Sequence, residues 1–347
     1  MKNSWKQTYL LGLPLILVSG MVIMLAENGN PAYKPKRINR AVELLADHQP
    51  IYYTGSHTGA PGGAGGAEAS FEQGKKDAQT FADYISYDME HTAYDIVGLT
   101  AYMKGLVAGG PAKSGHRTPA VIVNCPVNGL DEASVRANAW MFQQVLAAGV
   151  HGIMLTHADN PGAIRAFIEA VRFPIHKEGV GPLLHEGHRG QHGSAPAAQI
   201  WGISLQEYED KADPWPLNPN GELLLGVKEE DKYALANVEE NLQVPGIGMA
   251  EWGPGDMALS LGVRSTGRGT AKGGTKGGGG GGSVSDPRMQ AARAKVLAAC
   301  KANHVAFLNS MSSADVVDMI KEGVMVGPAS QATAEIGRKF TNRQMPW

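Results

Sequence analysis

Residues 251–263 read EWGPGDMALSLGV and follow a short apolar run at 244–250. The apolar run predicts a β-strand, and the Gly-Pro-Gly turn at 253–255 ends it. Asp256 comes directly after that turn, with apolar residues beyond it. A carboxylate just past a strand end is typical of the edge that carries the chemistry in a barrel of alternating strands and helices.

A second strand end of the same kind lies upstream, where the apolar run at 221–231 finishes in Glu229 and Glu230. Residues 232–243 carry apolar side chains at roughly helical spacing. The order strand, acid, helix, strand, acid brings Glu230 and Asp256 to the same rim of a parallel sheet. Oxygen ligands favour Mg²⁺ or Mn²⁺ over Zn²⁺, which indicates a metal site. The alternative is that both are ordinary acids at helix starts.

A third polar strand end, at 82–91, carries Asp88 and His91 three positions apart. At that spacing the carboxylate can orient the imidazole, which fixes its tautomer and raises its basicity. The pair therefore fits a general base. The alternative is that His91 only caps the following helix.

Residues 230–262 resemble the metal-binding half of the HpcH/HpaI aldolase/citrate lyase family. Members carry a Glu at one strand end and, further on, a Gly-Pro-x-Asp-Leu-x-x-x-x-Gly signature. Gly253 and Gly262 bound that signature here, and its Asp256 lies 26 positions after Glu230, as in the family. The resemblance implies that Glu230 and Asp256 hold a divalent cation such as Mg²⁺, Mn²⁺ or Co²⁺.

The resemblance extends to the Asp-x-Glu-His motif at 88–91, and it implies that Asp88 and His91 form the catalytic base. One position departs from the family. Members usually carry an Arg that grips the substrate carboxylate at the end of the following strand, where this chain has Asn124. Asn donates hydrogen bonds without charge, and losing a bidentate guanidinium–carboxylate contact costs on the order of 2–3 kcal/mol or more.

Other residues are candidates to hold the substrate carboxylate together with Asn124. The segment at 187–194 is similar to an Arg-Gly-x-Gly-Ser segment of the family, so Arg189 could replace the missing Arg, with help from Gly190 and Ser194. Lys228, two positions before Glu230, would place positive charge near the anion.

About eight strand–helix units follow one another without a long repeat, which predicts an α/β fold, a (β/α)₈ TIM barrel. The resemblance implies a barrel of the phosphoenolpyruvate/pyruvate type that forms homo-oligomers, often trimers or hexamers. It also implies a metal-dependent carbon–carbon lyase, an aldolase that cleaves or forms a 4-hydroxy-2-oxo acid through a metal-stabilised enolate. The substrates are then a small 2-oxo acid and an aldehyde.

Two alternative functions remain open on the same barrel. One is a CoA-ester lyase of the citrate lyase β branch, although the chain has no evident basic groove for CoA. The other is a non-catalytic exported binding protein. A net charge of −2 gives no electrostatic case for nucleic acid.

Two segments differ in composition from the rest of the 347 residues, one at the N-terminus and one inside the chain. Lys2 and Lys6 precede an uncharged apolar run at 9–26, so residues 1–26 are expected to be a signal peptide or an N-terminal membrane anchor. Either would place the domain outside the cytoplasm, exported or periplasmic. Residues 27–347 are expected to form a single barrel domain with a flexible Gly-rich insert at 267–282.

Overall fold

Eight parallel strands close on themselves, and helices surround them. The computed structural model describes residues 33–56, 66–264 and 284–347, and Tyr33–Trp347 form one compact unit. The strands within these ranges are β1 (Ile51–Ser56), β2 (Tyr84–Asp88), β3 (Ala120–Asn128), β4 (Gly152–Thr156), β5 (Pro214–Trp215), β6 (Leu223–Lys228), β7 (Met249–Glu251), β8 (Ala306–Leu308) and β9 (Val324–Pro328). A pairing of β4 with β6 closes the ring, and β5 pairs with β6 outside it.

The helices of the described ranges are α1 (Arg40–Ala46), α2 (Gly66–Asp77), α3 (Ile96–Gly109), α4 (Glu132–Ala137), α5 (Ala139–Ala147), α6 (Pro161–Val171), α7 (Ser194–Trp201), α8 (Leu205–Lys211), α9 (Lys232–Asn241), α10 (Pro254–Ser260), α11 (Pro287–Ala302), α12 (Val316–Glu322) and α13 (Gln331–Phe340). Many begin with a side-chain cap, such as Asn160 before α6 and Asp231 before α9. A carboxylate or amide at that position satisfies backbone N–H groups that the helix leaves unpaired.

The predicted (β/α)₈ TIM barrel is confirmed. Two local features qualify the sequence pattern. Residues 132–147 form two helices, α4 and α5, that meet at Asn138, whose side-chain amide donates to the carbonyl of Ser134. The predicted Gly-Pro-Gly turn at 253–255 instead begins α10, with Gly253 as its N-cap, so Asp256 lies in the first turn of that helix.

The barrel interior is apolar at one end and polar at the other. Side chains two positions apart on a strand face the same side, so each strand sends alternate residues inward. Near the strand starts the buried residues form one cluster: Ile51, Tyr84, Ile122, Met154, Leu224, Met249, Leu308 and Val326. Two or four positions further along the same faces come Ser86, Asp88, Asn124, Lys228 and Glu251. The polar side chains therefore converge at the carboxyl ends of the strands.

The apolar end is closed by α1. Its Ala41, Val42, Leu44 and Leu45 are buried in the same cluster as the strand starts. Near these strand starts, the Asp83 carboxylate forms ion pairs with three arginines, Arg40, Arg338 and Arg343. The side chains of all four residues are fully buried. This cluster ties α1, α13 and the C-terminal residues to the strand starts, so it belongs to the framework of the barrel.

Some predictions fall outside the described residues. The predicted signal or anchor at 1–26 is one, and the predicted insert at 267–282 is another, so both stay predictions. Within the described ranges, no helix combines the length and apolar character that a membrane crossing needs.

Candidate functional site

A cleft of about 160 Å³ opens at the carboxyl ends of the strands. Its polar lining comes from five strands and the segments that follow them, β1, β2, β3, β6 and β7: Thr54, Ser86, Asp88, His91, Asn124, Lys228, Glu230, Glu251 and Asp256. Tyr53, Gly253, Pro254 and Pro328 add to the wall. Catalytic groups of TIM barrels come from this end of the strands, because loop residues there converge on one opening.

Glu230 and Asp256 line the same cleft, as the order of strands predicts. Glu230 is buried, and its Oε1 accepts a hydrogen bond of 3.1 Å from the backbone N–H of His157. Gly253 has a φ of 46°, and a β-carbon there would collide with the side chain of Glu230. The Gly of the Gly-Pro-Gly turn therefore lets the loop that carries Asp256 approach Glu230 closely.

Lys228 is the cation at the floor of the cleft. Its Nζ donates to Oε2 of Glu90 and lies 3.9 Å from Oε2 of Glu230. Lys228 also stands level with Glu251 in the register of β6 and β7. Of the described residues that line the cleft, it is the only lysine or arginine.

Asp88 and His91 form the pair that their spacing predicts. Nδ1 of His91 lies 3.0 Å from Oδ2 of Asp88, whose Oδ1 accepts from the backbone N–H groups of Glu90 and His91. Nε2 of His91 is 3.8 Å from Oε1 of Glu90, and the imidazole is largely exposed to the cleft, at 62%. Asp88 is thus fixed by the backbone and in turn orients a ring that a substrate can reach.

Asn124, one of the predicted substrate-binding residues, lines the cleft. Its Nδ2 donates to the hydroxyl of Ser86 across 3.3 Å, and its backbone carbonyl accepts from Met89. It stands level with Asp88 in the pairing of β2 and β3. Asn124 can therefore meet a substrate oxygen with an amide hydrogen.

Arg189 lies outside this cleft, and the expectation that it replaces the missing Arg is corrected. It is 2% exposed, its Nη2 donates to the Tyr208 hydroxyl at 2.6 Å, and its guanidinium lies 4.4 Å from the ring centre of Phe173. Its backbone N–H bonds to the carbonyl of Arg172, at the far end of α6. These contacts serve packing at the opposite end of the barrel.

Gly190 and Ser194 lie in the same segment as Arg189 and, like Arg189, do not line the cleft. Ser194 is fully buried at the start of α7. The segment is held away from the cleft because the backbone N–H groups of His188 and Arg189 bond to the carbonyls of Glu169 and Arg172, at the C-terminal end of α6. Of the predicted carboxylate-binding residues, the structure brings only Asn124 and Lys228 to the site.

The resemblance implies that Glu90 lies beside the metal, and in the structure it stands in one group of possible ligands with Glu230. Sequence reasoning did not assign a role to Glu251, the last residue of β7, because its position opposite Lys228 depends on the register of β6 and β7. The sequence leaves two roles open for His157 at its strand end, contact with a ligand or a hydrogen bond to the backbone. In the structure its Nδ1 lies 3.0 Å from Oδ2 of Asp231, beside Glu230.

The site holds more negative than positive charge. The pKa of Glu230 is raised to about 7, mainly by burial and in part by the carboxylates of Glu251 and Glu90, against the opposing effect of Lys228. Burial also raises the pKa of Glu251. Burial alone would lower the pKa of Lys228, but the carboxylates of Glu251, Glu230 and Glu90 raise it, so the lysine stays protonated. A bound cation would stabilise the ionised form of buried carboxylates that lie this close together.

A pH dependence of stability follows from these shifts. The pKa of Glu230 is raised to about 7, and the Asp231 hydrogen bond is the main cause that raises the pKa of His157 to about 9. Both folded values lie above the unfolded ones, so the folded protein binds more protons and loses stability as the pH rises from about 4.5 to about 9. In urea unfolding with EDTA, the stability of the wild type relative to Glu230→Gln is expected to fall between about pH 5 and about pH 8.

Saturating Mn²⁺ is the control for this pH series, because a cation stabilises the ionised carboxylate and should reverse the trend. A wild-type advantage over Glu230→Gln that grows with pH in EDTA would contradict the argument.

Fold and site together define a class: a parallel (β/α)₈ barrel whose strand ends enclose a carboxylate-rich cleft with an Asp–His pair. No family model matches the chain. A stretch of 122 residues is 31% identical to the 2-keto-3-deoxy-L-rhamnonate aldolase of Salmonella paratyphi B. The match covers 35% of this chain and 39% of that enzyme, so the chain spans well under half the length of the curated relatives it matches.

Solved structures give the same answer for the fold. An HpcH/HpaI aldolase/citrate lyase family protein from Burkholderia cenocepacia superimposes with a TM-score of 0.58 at 20% identity, over 88% of this chain and 98% of that one. The HpcH/HpaI aldolase from Desulfitobacterium hafniense gives a TM-score of 0.53 at 18% identity, over 87% and 96%. The predicted resemblance to the HpcH/HpaI aldolase/citrate lyase family is confirmed.

Proposed function

We propose that this protein is a divalent-metal-dependent carbon–carbon lyase, an aldolase acting on a 4-hydroxy-2-oxo acid. The observation that carries the proposal is that Glu230, Asp256 and the Asp88–His91 pair open onto one cleft. An acid pair for a cation and an oriented base are the two elements that such cleavage needs. The matched relative is named as an aldolase of a keto-deoxy sugar acid, which supports the same class of reaction.

The residues present fit a divalent cation. Glu90, His157 and Glu230 offer ligand atoms that all lie within 4.8 Å of one another, and Asp256 lines the adjoining wall. Oxygen-rich sets of this kind suit Mg²⁺, Mn²⁺ or Co²⁺. When bound, such a cation supplies a Lewis acid for the keto oxygen of the substrate.

Lys228 and Asn124 are the groups that we assign to the substrate carboxylate. Asn124 offers Nδ2, which is held only by a 3.3 Å bond to Ser86. Lys228 offers the one full positive charge among the described residues of the lining. Because its carboxylate neighbours keep it protonated, Lys228 acts as a charge and not as the nucleophile of a Schiff base.

His91 is the proton-transfer group. With Nδ1 held by Asp88, Nε2 carries the lone pair that takes the hydroxyl proton of the aldol as the carbon–carbon bond breaks. In the reverse direction the same nitrogen returns the proton to the new hydroxyl. The exposure of the ring, 62%, leaves it open to substrate.

Exchange of the pyruvate methyl protons in D₂O, followed by NMR, tests the proposal without a choice of aldehyde. The full chain is expected to catalyse exchange with Mg²⁺ or Mn²⁺, and to lose it with EDTA. Asp256→Ala is expected to lower the rate by about 100-fold or more. Asp318→Ala, at an exposed residue of α12, is the matched control and should leave the rate unchanged.

Two outcomes would reject the proposal. One is the absence of exchange in a protein shown by calorimetry to bind the cation. The other is exchange that persists in Asp256→Ala at the wild-type rate. The first outcome would favour the non-catalytic binding protein.

His91 and Asp88 should differ in the size of their effects. His91→Ala removes the base and is expected to slow exchange by about 10²–10⁴-fold. Asp88→Asn keeps the ring but loses the charge that orients it, so a smaller loss and a shifted pH–rate profile are expected. Equal, small losses in both variants would argue against His91 as the base.

We also propose, from the resemblance and the N-terminal sequence, a homo-oligomeric enzyme that is exported. Light scattering of the purified protein tests the assembly, and fractionation of cells tests the location. The described residues alone support neither point, so each rests on the sequence argument.

A further inference from the structure

We infer that His157 supplies a nitrogen ligand to the cation that Glu230 holds. The inference rests on the proposed cation site and assigns to it a residue that the sequence motif does not include. His157 stands at the end of β4, directly after Thr156, on the same rim as Glu230. The side chain is 27% exposed, so it faces an opening and is not sealed in the core.

The ring of His157 is held in the orientation that a metal-binding histidine requires. Nδ1 lies 3.0 Å from Oδ2 of Asp231, whose Oδ1 accepts from Tyr233 and Ala234 at the start of α9. A carboxylate on one ring nitrogen leaves the lone pair of the neutral ring on the other. Here the other nitrogen, Nε2, is 3.8 Å from Oε1 of Glu230.

This separation suits a shared ion. Adjacent ligand atoms each about 2.1 Å from one octahedral ion lie roughly 3.0 Å apart, so a shift of under about 1 Å brings both onto it. The third nearby donor is Glu90. Asp256, which lines the cleft, is near enough to act on His157 electrostatically.

The backbone of His157 shows that its position is specified. Its φ is 44°, a left-handed conformation that residues other than Gly rarely adopt. In this conformation the backbone N–H of His157 donates to Oε1 of Glu230 at 3.1 Å, while Nε2 of its ring lies 3.8 Å from the same oxygen. Strain of this kind persists where surrounding contacts hold it in place, as the Asp231 bond does here.

A second histidine, His91, could compete for the role. It lies with Asp88 and Glu90 in another group of possible ligands. Its group does not include Glu230, whereas His157 stands in the group that does, and among the bonds of the described residues Oε1 of Glu230 meets only the backbone and ring of His157. The geometry therefore favours His157.

A nitrogen ligand changes which metals the site prefers. Imidazole suits Mn²⁺, Co²⁺ and Zn²⁺ in increasing order of affinity but adds little for Mg²⁺. The full chain is expected to bind Co²⁺ at least about 10-fold more tightly than Mg²⁺. His157→Gln should lose that preference while keeping its Mg²⁺ affinity within a few-fold, as measured by calorimetry with each metal alone.

Pulsed electron paramagnetic resonance of bound Mn²⁺ gives a direct readout that does not depend on activity. The wild type should show coupling to an imidazole nitrogen. The coupling should disappear in His157→Gln and persist in His91→Gln. His185→Gln, at an exposed histidine away from the cleft, serves as the control for folding and binding.

The outcomes separate this inference from the proposed function. Mn²⁺ binding with metal-dependent exchange but no nitrogen coupling in the wild type would overturn the role of His157 and leave the lyase standing. Coupling lost in His91→Gln and kept in His157→Gln would also overturn it. Failure of the wild type to bind any divalent cation would overturn both.

Discussion

Asp83→Asn is expected to lower the free energy of unfolding by about 3–5 kcal/mol, because it leaves buried charges without their partner. Asp83 meets Arg40 at 3.0 Å, Arg338 at 2.9 Å and Arg343 at 2.7 Å, and none of these side chains is exposed. Its other oxygen accepts from the backbone of Tyr52. Urea unfolding followed by tryptophan fluorescence measures the loss.

The control for this variant is Asp47→Asn. Asp47 pairs with Lys36 at 3.1 Å, but both side chains are more than half exposed, so the effect should stay below about 1 kcal/mol. Losses of equal size in the two variants would contradict the framework role of Asp83.

The pH dependence provides a second check on Asp83. Burial would raise its pKa, but Arg343, Arg338 and Arg40 hold it well below the usual range. A depressed folded pKa means stability that is present above the unfolded value of about 3.9 and is lost as the pH falls below it. The acid limb of the wild-type stability curve should therefore be steeper than that of Asp83→Asn.

Lys228→Met should produce the largest change at the cleft. The substitution keeps much of the side-chain length but leaves Glu90, Glu230 and Glu251 without their shared positive charge. Breaking a buried charge cluster in this way costs about 3 kcal/mol or more in the absence of metal. Pyruvate exchange should fall by about 100-fold, because the charge assigned to the substrate carboxylate is gone.

Added Mn²⁺ distinguishes the two consequences of Lys228→Met. The cation replaces the missing charge beside the carboxylates, so stability should recover while exchange stays low. Lys295→Met removes a partly exposed lysine that pairs with Glu239 at 3.0 Å, and it should change neither property. Full recovery of exchange with Mn²⁺ would show that Lys228 serves only to balance the acids.

The sequence predicted the parts of the site that follow from strand order. Glu230 and Asp256 share a rim because parallel neighbouring strands end at one edge, and Asp88 meets His91 because three positions past a strand end keep them in reach. Lys228 was expected near the substrate anion from its position two residues before Glu230, and it lines the cleft. These relations depend on local spacing and connectivity, which a single sequence displays.

Other parts depend on contacts between distant segments and were missed or wrong. The path of the chain between α6 and α7 decides that Arg189 packs between Phe173 and Tyr208, and no motif encodes that path. The contact of His157 with Asp231 joins β4 to the start of α9, over 74 positions. Glu251 looked like the end of a hydrophobic strand until its register against Lys228 was known.

The apolar and polar ends of the barrel interior have different roles, because one stabilises the fold and the other carries the reactive groups. The apolar cluster under the strands and the Asp83 cluster hold the fold at one end, while the charged residues sit two or four positions further along the same strands. Substitutions of the uncharged cleft residues should therefore alter substrate choice without disturbing the apolar cluster or the Asp83 cluster. A combinatorial library confined to the uncharged Ser86 and Asn124 would sample new specificities on a scaffold that still folds, which makes this chain a practical starting point for directed evolution.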